Sequence, residues 1–264
     1  MAENVQSSTL IHAVKVAQQT ALEQAPNGVR YAAYGQNNFV PGELERIVQA
    51  VPANIAAALG RKIYYFVPLA MASSMGERDL RSEDTMIAPD YSPELGDRAI
   101  CHRNVALGAT DGIFISTRLL NDRFALAFEF FINVGHAFAE AVGVPESFNA
   151  LVWEQALRDV RGETSQDAWE SRNQSLIRAR LGTVETPRLH VDEKAKSEYL
   201  EAAFADAVAI YLLSLSIDFN YSELREREYP LLAPEALADR LRLVNRLFPS
   251  NPGYEFAIRY RRRA

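Results

Sequence analysis

The 264-residue chain contains a single cysteine, Cys101. One thiol excludes an intrachain disulfide and the thiolate-rich zinc sites of structural type, and it fits a reducing, cytoplasmic compartment. Export without a cleaved signal would escape this test. Long apolar runs are lacking as well: none reaches eighteen residues, and the first thirty residues hold no basic stretch followed by an apolar one, so no membrane partner is expected. Positive charge is not in excess. Lys and Arg total 28 against 34 Asp and Glu, a net charge of -6, which speaks against long-range attraction to nucleic acid. The local exception is the RYRRRA terminus, where Arg259, Arg261, Arg262 and Arg263 cluster; it reads as a solvated end.

Apolar residues, at 48%, can supply a sizeable core. Residues 8–24 carry apolar positions at helical intervals and stop at APNG, and the whole of 1–40 reads as an N-terminal helical extension. LERIVQAVPANIAAALG reads as two short helices broken before Pro52. KIYYFVPLAM, rich in aromatic and β-branched residues, is the best strand, and DGIFIS is a second. Between them, residues 72–108 are polar, turn-rich and without period, an irregular excursion. A long helix is expected from Asp122 to Ala141, ending at Gly143 with Pro145 beyond. SFNALVWEQALRDV and DAWESRNQSLIRARLG read as charged helices. DEKAKSEYLEAAFADAVAIYLLSLS reads as a long alanine-rich helix, and PEALADRLRLVNRLFP as a last amphipathic one. Helices dominate and no linker or repeat interrupts them, so the expectation is one α+β domain over 1–264.

Chemistry concentrates in FEFFINVGHAFAEA, residues 128–141. Its polar side chains Glu129, Asn133, His136 and Glu140 are spaced by four, three and four, which places them on one stripe of a helix. Such a stripe faces either water or a polar cleft. A two-histidine zinc helix needs a second histidine four residues before His136 and a carboxylate after it. Ile132 and Asn133 stand there, and neither can serve. The other histidines, His12, His102 and His190, sit outside ligand spacing, and Cys101 beside His102 points away from it in an extended segment.

The run DGIFISTRLLNDRFALAFEFFINVGHAFAEAVG resembles the active-site region of zincin-like metallopeptidases, in which an edge strand precedes a helix reading approximately Ala-Leu-x-His-Glu-x-Gly-His-Ala-Phe. Gly135 and His136 match that helix. YLEAAFADAVAIYLLS is similar to the helix that supplies the glutamate ligand in the gluzincin branch, with Ala202 at the glutamate position. LERIVQAVPANIAAALGRKIYYFVPLA is similar in layout to the entry of anthrax lethal factor-type catalytic domains. The resemblance implies a zincin-like domain with a small mixed sheet packed against the former active-site helix. It also implies a degenerate zinc motif, because Ile132, Asn133 and Ala202 replace motif residues. No cofactor is then expected; zinc would need a shifted set such as His136, Glu198 and Asp206, with Glu129 as an alternative carboxylate.

Three functional readings follow. In the leading one the chain is a pseudo-metallopeptidase, a binding or regulatory module holding a peptide or small molecule in the former active-site cleft. The contacts would come from Asn133 and His136 and from the backbone of Gly112, Ile113, Phe114 and Ile115 acting as an edge strand. In the second, His136 with Glu129 or Glu140 performs other acid–base or shifted-metal chemistry, so that catalysis is left open. In the third the chain is a secreted or assembly-type effector that meets a protein partner through its surface, using 72–108 and the arginine terminus.

Overall fold

The structure, a computed structural model, describes residues 10–37, 39–71, 85–120, 122–179, 188–224 and 229–258. The fold is α+β with helices dominating. Two compact units divide it, Met1–Phe130 and Phe131–Ala264, where the sequence suggests one domain. Their boundary falls inside a continuous helix, so no turn or linker marks it in the sequence.

In chain order the first unit holds β1 (Ile11–His12), α1 (Ala13–Gln19), β2 (Glu23–Gln24), β3 (Arg30–Ala33), α2 (Glu43–Gln49), α3 (Ala53–Ala58), β4 (Lys62–Val67), β5 (Leu69–Met71), β6 (Met86–Ala88), α4 (Pro93–Gly96), β7 (Ala99–Ile100), β8 (His102–Leu107) and β9 (Thr110–Ser116), and then the start of α5 (Arg123–Val142). A mixed five-stranded sheet runs β2-β3-β4-β9-β8, with β3, β4 and β9 parallel and both outer strands antiparallel. A second sheet runs β1-β6-β5-β7. The KIYYFVPLAM strand therefore splits at Pro68, whose missing N–H ends β4, and β5 joins the other sheet.

Strand β4 is buried from Ile63 to Val67 because both faces of its sheet are covered, which explains a continuous apolar run in place of alternation. One face carries Ile63, Tyr65, Val67, Val105 and Phe114, packed on Ala13 and Val16 of α1, with Tyr65 and Phe114 stacked at 4.6 Å. On the other, the Tyr64 and Phe66 rings meet Phe130 of α5 at 5.0 and 5.6 Å. The Tyr64 hydroxyl is buried with no hydrogen-bond partner among the described residues, and burial pushes its pKa up. Tyr64→Phe removes an unsatisfied donor while keeping the ring. It is expected to raise the unfolding free energy by about 1 kcal/mol in urea titration; a loss of stability would reveal a partner.

The second unit continues α5 and adds α6 (Glu146–Leu157), α7 (Gln166–Ser175), β10 (Leu176–Ala179), β11 (Arg188–Val191), α8 (Glu193–Ser216), a 3-10 turn at Tyr221–Leu224 and α9 (Pro234–Leu247). Gly143 follows α5 with φ 71° and donates to the Ala139 carbonyl, the left-handed stop expected of glycine there. The side chain of Asp192 caps α8 by accepting from the Lys194 and Ala195 amides, both at 3.0 Å. Phe138, Phe148, Phe204 and Phe248 form an aromatic core, with closest ring pairs at 5.0 Å. By length and composition α5 and α8 are each apolar enough to cross a membrane, although no uninterrupted run of eighteen occurs. In each, 61% of the most apolar window is buried in the fold.

Several sequence expectations change. The 8–24 helix shrinks to α1, and 1–40 holds strands β1, β2 and β3 in place of a helical extension. Those strands are two to four residues long, too short for a period to register. Residues 72–84 lie outside the described residues, but 86–107 form β6, α4, β7 and β8, of which β6 and β7 pair with the earlier β5 and β8 forms a hairpin with β9. The second charged helix stops at Ser175, because Leu176–Ala179 pair instead with Arg188–Val191.

Candidate functional site

The site grows from one glycine in the second unit. A Cβ built on Gly135 would sit 2.3 Å from the Ala205 carbonyl oxygen and 3.4 Å from the Ala209 amide nitrogen, so α5 and α8 cross with their backbones nearly touching. Glycine on one helix and alanines on the other permit this approach. The crossing makes His136 a neighbour of the Ala202–Asp206 turn. There an open cleft of about 440 Å³ is lined by His136 of α5, by Asp167, Glu170, Ser171 and Gln174 of α7, and by Glu198, Glu201 and Ala202 of α8. His136 is exposed. Glu198 pairs with Lys194 at 3.6 Å, and Gln166 donates to Glu170. Four carboxylates and no lysine or arginine among the lining residues give the cleft a negative field.

Behind the α7 wall lies a buried ionic network that sequence reasoning missed. Glu163 is fully buried. Its carboxylate accepts from Arg240 Nη1 at 2.8 Å and Nη2 at 3.3 Å, from Arg172 Nη1 at 3.3 Å and from the Tyr199 hydroxyl at 2.7 Å. Arg240 Nε also donates to Gln155 at 2.8 Å. Burial works to lower the pKa of Arg240, but Glu163 and Tyr199 outweigh it and the net shift is upward. For Tyr199, burial pushes the pKa up. One signal for this network was present. Arg240 sits three residues after Leu237 and four before Val244, on the apolar stripe of α9, where a charge demands a buried partner.

Next to the network, Asp206 accepts from the Thr164 hydroxyl at 2.8 Å and from the Ser165 hydroxyl. Ser165 is also the cap of α7, accepting from the Ala168 amide at 3.1 Å. Burial raises the pKa of Asp206; the Ser165 and Thr164 hydroxyls and His136 oppose the rise and Glu163 adds to it.

Comparison with protein-family models, curated proteins and solved structures finds no match.

The polar stripe of α5 does not act as one surface. Asn133 is 7% exposed, whereas His136 and Glu140 are exposed. Glu129 belongs to the first unit, where its carboxylate meets His102 Nδ1 of β8 at 2.5 Å. Glu129 and His136 stand seven residues apart along the chain, roughly 10 Å of helix rise. The backbone of Gly112, Ile113, Phe114 and Ile115 cannot receive a peptide strand. Strand β9 is interior, pairing Gly112 with both Ile63 and Val105, and Ile115 with both Phe66 and His102. Among the described residues the outer strands of this sheet are β2 and β8. His12 ends β1 in place of lying on a helix, and Cys101 is exposed. The side chain of His190 and residues Arg259, Arg261, Arg262 and Arg263 lie outside the described residues.

The donor set does not fit zinc. Ile132 offers no lone pair, Asn133 is buried, and Ala202 presents a methyl group to the cleft. Asp206 is engaged by two hydroxyls and Glu198 by Lys194. Among the described residues no group of three or more His, Cys, Asp or Glu side chains could hold a metal ion.

Proposed function

We propose that the chain is a pseudo-metallopeptidase, a binding module whose α5–α8 cleft holds a peptide or small molecule without zinc hydrolysis. The supporting observation is that His136 and Ala202 line one cleft across a helix crossing locked by Gly135 against Ala205. These are the positions at which the resemblance puts a zinc histidine and the glutamate ligand, and here one of them is a methyl group. Asp167, Glu170, Glu198 and Glu201 select for cationic groups, so a lysine- or arginine-rich segment is the favoured ligand.

Two measurements test this reading. Metal analysis of the purified protein is expected to find no stoichiometric zinc, while the variant carrying Ile132→His, Asn133→Glu and Ala202→Glu takes up one equivalent; zinc in the wild type would overturn the proposal. A fluorescent lysine-rich peptide is expected to bind and its acidic counterpart not. Each of Glu198→Gln and Glu201→Gln should weaken binding on the order of threefold, with the effect fading at high salt. His136→Ala should reduce binding without unfolding, since the side chain is exposed. Multiple turnovers of a substrate that vanish in His136→Ala would instead establish acid–base chemistry at the cleft.

A further inference from the structure

A second cavity lies in the second unit, near the C-terminal end of α8. The helix stops because Ile217 turns extended, with φ −140° and ψ 141°. The chain then passes through the 3-10 turn at Tyr221–Leu224 and returns as α9, which Pro234 opens with a fixed φ and no N–H. The segment beyond α9 comes back against α8, where the Phe256 ring meets Tyr211 at 5.3 Å. These segments enclose an open cavity of about 330 Å³, walled by Ile210 of α8, Leu237 and Leu241 of α9, and Phe256. One lining position on each helix is small, Ser214 on α8 and Ala238 on α9, which leaves space between the larger side chains. Phe256 and Ile258 are half-buried, so apolar surface remains for a ligand to remove from water.

The charge around this cavity has one sign. Asp218 lines it, and among the described residues no lysine or arginine does. Glu223, Glu235 and Glu255, each next in sequence to a lining residue, are exposed. The nearest cations of α9 are engaged elsewhere: Arg240 is buried on Glu163 at 2.8 Å, and Arg242 pairs with Asp239 at 3.0 Å. The Ser214 hydroxyl donates to the Tyr211 carbonyl at 2.6 Å, so it offers no proton to a carboxylate ligand. An apolar interior behind a carboxylate selects a hydrophobic cation and rejects a hydrophobic anion.

We propose that this cavity is a binding site for an alkyl ammonium, whose hydrocarbon chain lies between α8 and α9 and whose protonated amine faces Asp218. Volume sets the length. At roughly 30 Å³ for each water-sized group, about 330 Å³ holds an unbranched chain of about ten carbons. The site is separate from the α5–α8 cleft, and the inference holds whatever that cleft binds.

Calorimetric titration of the full chain with decylamine, kept below the concentration at which the amine aggregates, is expected to show one site. Octylamine should bind about fifteenfold more weakly, the effect of two methylenes. Decanoate should not bind measurably, and decanol should bind about threefold more weakly than the amine. Asp218→Asn changes an exposed side chain; it should weaken decylamine about threefold and leave decanol unchanged. Ala238→Leu fills the space and should abolish binding of both, and Ser214→Leu does the same from α8 should the first variant fail to fold. Glu198→Gln and Glu201→Gln, which weaken peptide binding at the cleft, should leave decylamine binding as it was. Equal affinities for octylamine and decylamine, decanoate binding as tightly as decylamine, no effect of Asp218→Asn, or loss of decylamine in the cleft variants would each overturn the proposal. So would uptake of decylamine only after Arg259, Arg261, Arg262 and Arg263 are changed to glutamine, which would make the arginine segment the occupant.

Discussion

Replacing Glu163 by glutamine is expected to destabilise the protein by about 3–5 kcal/mol, the cost of leaving a buried charge without its counter-ion. The substitution keeps the shape of the side chain. It removes the charge that holds Arg240, which is 0% exposed, and Arg172, which is 4% exposed, and the new amide turns a donor toward guanidinium donors. With total stabilities of roughly 5–15 kcal/mol for natural domains, this is a large share, and a denaturant midpoint measures it directly. A companion variant separates desolvation from attraction. Converting Glu163 to leucine and Arg240 to methionine together should cost less than Glu163→Gln alone, because no charge at Arg240 is then left stranded. A loss below about 1 kcal/mol for Glu163→Gln would mean that the guanidiniums reach water.

Gly135→Ala is expected to destabilise the protein although alanine is the better helix former. Propensity favours the change by about 1 kcal/mol. Against it stands a methyl group 2.3 Å from the Ala205 carbonyl oxygen, and relief requires α5 and α8 to move apart. Forced overpacking of this kind costs about 1–3 kcal/mol and at times more. Since the obstacle is backbone that no rotamer change can clear, the upper end applies and the net loss is about 2 kcal/mol. Separation of the helices also pulls His136 away from Ala202, so peptide binding should fall further than stability alone explains. Gly143 is the control. Nothing lies within 4 Å of a Cβ there, so Gly143→Ala should cost only the strain of its positive φ, about 1 kcal/mol, and leave the cleft intact.

The two strands β4 and β9 and most of the helices were legible because their signals are local. The alanine-rich helix, the break before Pro52 and the stop at Gly143 each rest on residue types within a turn or two. The candidate site was legible in one respect. His136 and Ala202 were brought together by a resemblance between motifs, and both line the cleft. Asn133 and Glu129 were misjudged because helical spacing says which residues share a stripe and nothing about what packs on it. Asn133 is buried, and Glu129 is committed to His102.

By itself the sequence determined the α+β class, the dominance of helices and the long alanine-rich helix near the C-terminal end. Tertiary structure alone decided that β9 is interior, that the KIYYFVPLAM run serves two sheets, and that Glu163 meets Arg240 across 77 residues. The physical reason is the same in each case. A strand's place in a sheet and a buried charge's partner are fixed by pairing between distant segments, whose free energy leaves almost no trace in the local pattern of either one.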